Sequence, residues 1–521
     1  MVIRTVLALI VTVMLTGCGS QVEQKLLVMR LGADPTYLNP ILYTDQPSGD
    51  VAGFIFSGLF RVNEQLELEP DLCQSYRVYD NGKRYVFYLR RDVRWHDGEP
   101  FTAQDVAFTF DRIMDPTTNT VRRSGYVING KPITWHVVDK YTIEARLPEP
   151  LGPFLFRAST GILPKHKLID QAINTAAFNR QPIGTGPFKF HDWKSGQFIR
   201  LIQNNAYYAG QPKVPGILFK IIPDAQTAML ALKRQDVHIN AVLPKDYNRY
   251  EKLDYLRMAR WYGLNYTYLA FNLQKPLFAD KRFRQAVAHA VDQQKIVDTV
   301  LQGFGRPAYY PSSPVSWAYP PKDKPLYAYN PERSHHYLES LGYQRNESGR
   351  YERNGQPISL VLATNQGNKY REKTVALIQQ YLSEIGIDVR IQLMEWSALL
   401  KLTKDTSEPT GFDLIVLGWN IGVDPDSSSV WHSREYPNGF NFIGYSNPQV
   451  DAGLDAARQY THSSDRKSIY HQIFTKIAND LPYLFLYHTE SIVGVNRQVQ
   501  GLSAPGPAGL MVHPESVYLT P

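Results

Sequence analysis

The sequence has little cysteine: only Cys18 and Cys73 occur among its 521 residues. Cys18 belongs to the N-terminal signal described below, so an internal disulfide and a metal cluster of cysteines alone are both excluded. Beyond the first 18 residues no stretch holds 18 consecutive apolar residues, so we expect no internal transmembrane helix. The 56 Lys and Arg residues are scattered among 49 Asp and Glu, and this pattern does not predict nucleic-acid binding.

Common catalytic motifs are also absent. The sequence has neither a Gly-x-Ser-x-Gly nucleophile elbow nor a His-Glu-x-x-His zinc pair. Residues 125–131 have the spacing of a phosphate-binding loop, but Pro132 occupies the position of the Ser or Thr that holds magnesium. We therefore expect a binding protein and not an enzyme, without a metal or a cofactor.

The first 18 residues are typical of a secretory signal with a lipid-attachment site. Arg4 provides the positive start, and residues 6–15 form an apolar core that is too short to span a bilayer. The segment ends in Leu15-Thr16-Gly17-Cys18, which resembles the bacterial lipobox and implies cleavage before an acylated Cys18. The alternative is an ordinary secretory signal. We expect residues 1–17 to be a lipoprotein signal peptide and the protein to be anchored outside the cytoplasm, on the periplasmic side or the cell surface.

Hydrophobic periodicity predicts the fold class. Residues 375–385 carry apolar side chains at helical spacing, Gly386 ends that helix, and residues 387–393 alternate as a strand. Residues 412–417 form another apolar strand. This strand-and-helix order predicts an α/β protein with a partly parallel sheet, and 521 residues predict two or three domains.

Four motifs occur together in one order. They are VRWHDGEPFTAQDV at 93–106, GTGPF at 184–188, LAFN at 269–272 with PLFADKRFRQA at 276–286, and GW at 418–419 followed by DPD at 424–426 and NFIGYSNP at 441–448. From about residue 26 to 490 the sequence resembles the dipeptide- and oligopeptide-binding family of bacterial extracytoplasmic solute-binding proteins. That family feeds peptide importers of the ABC class.

The resemblance implies a periplasmic-binding-protein-like fold of two lobes with mixed sheets, a hinge and an extra domain. The first lobe would combine residues 26–70, 184–275 and 488–521, the extra domain residues 71–183, and the second lobe residues 276–487. Chain crossings near residues 271–276 and 484–489 would form the hinge. A ligand that contacts both lobes favours the closed state, which then docks on a membrane permease. We expect a monomer.

The resemblance also implies which residues contact the ligand. Peptides in this family lie extended and pair with main-chain groups of both lobes. The corresponding positions are Gly418, Trp419 and Asn420 in the second lobe and Ala33, Asp34 and Pro35 in the first. Trp396 matches a tryptophan that lines a side-chain pocket. For Trp396 and Trp419 the alternative interpretation is core packing.

One position departs from the family pattern. Members hold the α-amino group of the peptide with an Asp where this sequence has Ile421. A buried ammonium needs a counter-charge. There are three alternatives: Asp424 provides this charge, the amino terminus is bound elsewhere, or the ligand lacks a free amine. Val416 replaces an Arg that binds the terminal carboxylate in some members, and Arg122 and Arg123 are candidate substitutes.

The sequence therefore predicts a substrate-binding lipoprotein of an ABC importer that captures di- to oligopeptides. The main alternative is the same scaffold with a nickel chelate, an oligosaccharide or an opine, because a fold does not fix its ligand. A nickel chelate predicts a His or carboxylates in the cleft, and His432 is a candidate. A signalling or chaperone-like relative and a secreted hydrolase are further alternatives.

Overall fold

A computed structural model describes residues 25–404, 411–437 and 439–520. The predicted signal peptide, residues 1–17, and the predicted lipidation site Cys18 lie outside the described residues. No helix in the described part of the chain is both long and apolar enough to span a membrane.

Short strands make up most of the regular structure. In chain order they are β1 (Leu27–Leu31), β2 (Phe60–Val62), β3 (Leu68–Pro70), β4 (Cys73–Tyr79), β5 (Arg84–Leu89), β6 (Val127–Ile128), β7 (Lys131–Pro132), β8 (Thr134–Asp139), β9 (Thr142–Arg146), β10 (Phe188–Lys194), β11 (Phe198–Gln203), β12 (Gly216–Ile221), β13 (Ile239–Ala241), β14 (Leu256–Tyr262), β15 (Asn265–Phe271), β16 (Gly305–Pro307), β17 (Gln344–Arg345), β18 (Tyr351–Arg353), β19 (Gln356–Pro357), β20 (Ser359–Asn365), β21 (Asp388–Met394), β22 (Leu414–Asn420), β23 (Tyr483–Asn496), β24 (Val499–Gln500) and β25 (Tyr518–Leu519).

The helices fall between these strands. They are α1 (Gln46–Ile55), α2 (Ala103–Met114), α3 (Phe154–Arg157), α4 (Lys165–Leu168), α5 (Ala225–Lys233), α6 (Tyr247–Tyr250), α7 (Pro276–Ala279), α8 (Lys281–Ala290), α9 (Gln293–Val300), α10 (Pro331–Ser340), α11 (Lys369–Glu384), α12 (Trp396–Lys404), α13 (Ser428–Trp431), α14 (Pro448–Gln459) and α15 (Ser463–Asp480).

The main sheet is mixed, as predicted. Its strand order is β10-β11-β12-β1-β13-β23-β15-β22-β20-β21, and β14 and β16 also pair with β23. Strand β1 runs parallel to β12 and β13, and β20 runs parallel to β21 and β22, whereas the other pairs are antiparallel. The predicted α/β class with mixed sheets is confirmed.

Strand β23 belongs to both halves of this sheet. Its first residues, Tyr483–Tyr487, pair with β15, whereas residues 490–496 pair with β14. The predicted crossing at 484–489 therefore coincides with the point where β23 changes partners. The short link at 263–264 joins β14, which pairs with the second half of β23, to β15, which pairs with β22. The crossing at 271–276 and the domain boundaries stay predictions.

The segment of the predicted extra domain contains a separate antiparallel sheet, β4-β5-β9-β8, covered by α2. Thr102 and Asp105 form the predicted capping box of α2: Asp105 accepts from the backbone N–H of Thr102 at 2.9 Å. Phe110 of α2 stacks on Trp135 of β8 at a ring distance of 4.0 Å. The buried apolar side chains of this sheet are continuous with those of the first lobe, so the two segments share one core.

Two of the sequence motifs meet at His96. Its Nδ1 accepts from the backbone N–H of Gly184 at 3.2 Å, and its Nε2 lies 3.0 Å from the carbonyl oxygen of Gly186. Burial lowers the pKa of His96 to about 4, so the imidazole is neutral at physiological pH. This side chain connects the HDG turn to the GTGPF loop and hence the extra-domain segment to the first lobe.

Candidate ligand-binding site

The end of β22 has an unpaired main-chain edge within the described residues. Strand β20 pairs with β22 only at Leu414 and Ile415. At that end of β22 lies a cavity of about 340 Å³, which we call the edge cavity; it is lined by Gly418, Trp419 and Asn420 and by residues 265–267 of β15, among others. A strand edge that faces a cavity can accept an extended peptide through main-chain hydrogen bonds.

Trp419 combines packing with exposure to the cavity. Its ring stacks on Tyr268 at 6.4 Å and meets the edge of Phe440 at 5.4 Å. It is half-buried and packs against the core beneath β22. Both interpretations of Trp419, core packing and contact with ligand, are therefore compatible with its position.

Arg371 of α11 is a candidate residue that sequence reasoning missed. It lines the edge cavity, and its guanidinium donates to Oδ1 of Asn365 at 2.8 Å. None of the described Asp and Glu residues forms an ion pair with Arg371, and burial lowers its pKa. Glu490, on the same cavity, is held by Arg260 at 2.6 Å. Arg371 thus presents a positive charge that the fold does not neutralise.

Gly418 leaves room for the guanidinium of Arg371. A Cβ on Gly418 would lie 3.0 Å from Nη2 of Arg371 and 3.1 Å from the carbonyl oxygen of Tyr266. A larger residue would therefore displace the guanidinium from the β22 edge.

Asp424 forms a buried ion pair inside the second lobe. Its two carboxylate oxygens lie 2.5 and 2.7 Å from the guanidinium of Arg466, and both side chains are at most 8% exposed. Burial lowers the pKa of Arg466, but the hydrogen bonds that it donates to Asp424 outweigh burial and raise it. In this structure Asp424 is thus the partner of Arg466, and its negative charge is already matched.

The extra-domain segment contacts the second lobe next to this ion pair. Asp426 lies 3.2 Å from Arg458 of the second lobe and 3.6 Å from Arg157 of the extra domain. The backbone N–H of Gly152 donates to the carbonyl of Arg458 at 2.6 Å. Between the two segments lies a cavity of about 590 Å³, the interlobe cavity, lined by residues 121, 122, 124–126, 422–424 and 426 among others.

Arg122 and Arg123 have different environments although they are neighbours in the chain. The guanidinium of Arg123 donates to the carbonyls of Ile113, Asp115 and Thr118 at 3.2, 2.5 and 2.7 Å and holds its own loop. Arg122 lines the interlobe cavity, with its guanidinium 5.0 Å from the ring centre of Tyr43. Only Arg122 is placed to meet a ligand in that cavity.

The predicted first-lobe loop is held by its own domain. Asp34 accepts from Nε1 of Trp193 at 2.8 Å, from the backbone N–H of Gly196 at 2.7 Å and from the hydroxyl of Ser195. Burial raises the pKa of Asp34, but these hydrogen bonds outweigh burial and lower it. Ala33, Asp34 and Pro35 line neither the edge and interlobe cavities nor the two further cavities that adjoin them.

Trp396 and Ile421 have contrasting positions. Trp396, at the start of α12, is 48% exposed and also lies outside these four cavities. Ile421 lines a pocket of about 170 Å³, the linking pocket, and its backbone N–H donates to the carbonyl of Leu264 at 2.8 Å. The position that carries a carboxylate in the family is therefore an apolar wall here.

The four cavities form a row. The edge cavity and the linking pocket share Trp419 and Asn420, and the linking pocket and the interlobe cavity share Gly422 and Asp424. Val62 lines both the interlobe cavity and a fourth cavity of about 670 Å³ beside α1, the α1 cavity. The row extends from the end of β22, past the segment of the predicted extra domain, to that of the first lobe.

The nickel candidate His432 is buried outside this row. Its Nδ1 accepts from the backbone N–H of Arg434 at 3.2 Å, and its Nε2 lies 3.3 Å from Asp455. Across residues 25–404, 411–437 and 439–520, no three or more His, Cys, Asp or Glu side chains lie close enough together to hold a metal ion.

A long strand shared by two lobes and a row of cavities between them define a two-lobed ligand-binding protein. The model of the bacterial extracellular solute-binding proteins, family 5 (middle part), matches residues 67–441. The chain belongs to this family, which confirms the family predicted from the motifs and an extracytoplasmic location.

Relatives agree with this assignment over nearly their whole length. The oligopeptide-binding protein AppA of Bacillus subtilis is 35% identical over 479 residues, which is 90% of this chain and 87% of the relative. The structure of AppA from Bacillus subtilis in complex with a nonapeptide has a TM-score of 0.81 at 33% identity and covers 96% of this chain and 99% of its own. NikZ of Campylobacter jejuni in complex with Ni(L-His) has a TM-score of 0.82 at 26% identity, covering 95% and 99%.

Proposed function

We propose that the protein captures peptides outside the cytoplasm and delivers them to the permease of an ABC importer. The observation that carries this proposal is the row of connected cavities that begins at the unpaired edge of β22. Such an edge binds the peptide main chain whatever its side chains are, and the wider cavities accept side chains of different sizes. The similarity to AppA, which was solved with a nonapeptide, supports a peptide of several residues.

In this proposal Arg371 binds an oxygen of the ligand beside Gly418, Trp419 and Asn420. A guanidinium with unused donors binds carboxylates and carbonyls well, and burial strengthens the interaction. Arg122 provides a second positive charge further along the row. The site binds its ligand without a chemical step, and lobe closure about β23 encloses it.

We further propose that Cys18 carries the lipid anchor after removal of residues 1–17, and that the protein acts as a monomer. Acyl chains on Cys18 would hold the protein near its permease, since each buried methylene contributes about 0.8 kcal/mol to membrane binding.

Native mass spectrometry of the chain from residue 19 onward, purified from cell extract, tests the proposed function. We expect co-purified masses that fragment as peptides, and their lengths would give the ligand size. A protein that carries no peptide, ignores a peptide library in a thermal-shift screen and is stabilised by a nickel–histidine chelate, an oligosaccharide or an opine would contradict it.

A further inference from the structure

The α1 cavity, on the first-lobe side of the row, contains an unpaired carboxylate. It is lined by Asp50 and Gly53 of α1, Trp261 of β14 and Met511 of the C-terminal segment, among others. Asp50 is exposed to solvent, yet the surrounding walls desolvate it and raise its pKa to about 6. In the described part of the chain no Lys, Arg or His forms an ion pair with Asp50, and a hydrogen bond from the side chain of Gln46 only partly offsets the desolvation of its ionised form.

The other charged groups of the α1 cavity already have partners. Arg30 donates to two backbone carbonyls at 2.8 and 3.0 Å. Asp71 accepts from the hydroxyl of Tyr208, and Arg61 lies 4.0 Å from Glu515. Of the three carboxylates that line this cavity, Asp50 is thus the one that no ion pair or hydroxyl group of the described residues holds.

Gly53 opens space beside Asp50. The two residues lie three positions apart on α1 and line the same cavity. A Cβ on Gly53 would meet no atom within 4 Å, so no packing contact requires a glycine there. Glycine inside a helix is unfavourable relative to alanine. Its effect at this position is to widen the cavity next to the carboxylate.

The remaining wall is mainly apolar. Phe56, Phe60, Trp261 and Met511 line it together with Asp50. A cation carried on an apolar stem matches both features, because the stem contacts the apolar wall while the charge meets Asp50. An aromatic wall such as Trp261 also favours a cation over a neutral group.

We propose that the α1 cavity receives a positively charged group of the ligand and that Asp50 is its ion-pair partner. This inference rests on the proposed peptide function and adds a ligand preference to it. The group is the α-ammonium of the peptide or the side chain of a Lys or Arg residue. Asp50 would thereby supply the counter-charge that neither Ile421 nor the paired Asp424 offers to a ligand.

A retention experiment with four synthetic pentapeptide pools tests this inference. The pools have free or acetylated amino termini, each with or without Lys and Arg, and retained peptides are counted by mass spectrometry after removal of unbound material. We expect the wild type to prefer pools that carry a cation. Asp50→Asn should reduce that preference about tenfold and leave retention of the acetylated pool without Lys and Arg unchanged. The pool that loses retention identifies the source of the cation.

Two further variants separate the outcomes. Asp170→Asn removes one negative charge from an exposed turn and should retain the wild-type preference. Gly53→Leu fills the space beside Asp50 and should reduce retention of the cationic pools without lowering the melting temperature, since leucine favours a helix more than glycine.

Pool preferences in Asp50→Asn equal to those of the wild type would overturn the role of Asp50. Failure of the wild type to retain any pool would overturn the proposed peptide function and, with it, this inference.

Discussion

The two walls of the cleft differ in what they offer a ligand. The second-lobe wall has a strand edge and the unpaired positive charge of Arg371, whereas the first-lobe wall has a wide apolar cavity and the unpaired negative charge of Asp50. A peptide carries both charges and a main chain. If both charges bind the ligand as proposed, each lobe recognises a different part of it, and only a ligand that bridges the cleft pairs with both walls.

The largest effect should come from breaking the ion pair that supports the second-lobe wall. Arg466→Met leaves Asp424 buried without a partner, and we expect the free energy of unfolding to fall by about 3–5 kcal/mol. Urea unfolding measures this loss. The double variant Arg466→Met/Asp424→Asn removes the unpaired charge and should recover part of the stability. A loss below about 1 kcal/mol for Arg466→Met would show that the pair with Arg466 contributes little and that Asp424 is able to bind a ligand ammonium instead.

Arg371→Met tests the positive charge of the second-lobe wall directly. Loss of a charge-assisted hydrogen bond should weaken peptide binding by about 1.5–3 kcal/mol, which is roughly tenfold or more. Titration calorimetry with a peptide identified from the purified protein measures the change. Arg390→Met, which removes an exposed arginine from β21, is the matched control and should bind like the wild type. Equal affinity in both variants would remove Arg371 from the site.

Gly418→Ala should have a smaller effect on the same wall. The added methyl would lie 3.0 Å from Nη2 of Arg371, so the guanidinium has to shift. We expect peptide affinity to fall by less than it does in Arg371→Met, and the double variant should be no weaker than Arg371→Met alone because both changes act through one contact. Additive losses would mean that Gly418 contacts the ligand independently.

The smallest effect concerns the first-lobe wall and depends on pH. Because the folded protein raises the pKa of Asp50 from its ordinary value to about 6, folding binds a proton between about pH 4 and 6. Above about pH 6 Asp50 is ionised in the folded protein, and this lowers the free energy of unfolding. Asp45, the N-cap residue of α1, adds to this destabilisation, and a hydrogen bond from Gln46 partly offsets it. The cavity charges Arg30, Arg61, Asp71 and Glu515 do not relieve it.

We expect Asp50→Asn to match the wild type in stability at pH 4 and to exceed it slightly at pH 7.5. Thermal unfolding at the two pH values measures the difference. A variant that is less stable than the wild type at pH 7.5 would mean that Asp50 supports the fold rather than the ligand.

Local patterns predicted many elements of the fold. The capping box at Thr102 begins α2, and the helical stripe up to Gly386 followed by alternation corresponds to α11 and β21. These features depend on residues that are close in the sequence. The pairing of β15 with β22 could not be predicted in this way, because β22 lies about 150 residues further along the chain.

The candidate site was predicted less completely, for a related reason. The motif residues His96 and Asp424 turned out to form internal contacts, with Gly184 and Gly186 in one case and with Arg466 in the other. Arg371 and Asp50 are single charged residues near the starts of helices, and in a sequence they look like ordinary solvated charges. Only tertiary structure shows that, among the described residues, neither of them forms an ion pair.

Strand β23 has a consequence for how the bound state is signalled. One continuous run of 14 residues serves both lobes, and Nδ1 of His488, at its change of partners, is 2.7 Å from the carbonyl oxygen of Asn265 in the neighbouring strand. Because both lobes pair with this one strand, bending it where it changes partners would change the orientation of the two lobes relative to each other. A permease that recognises the angle between the lobes would bind the same closed form whichever ligand is enclosed. The transporter would then need no change to accept many different ligands.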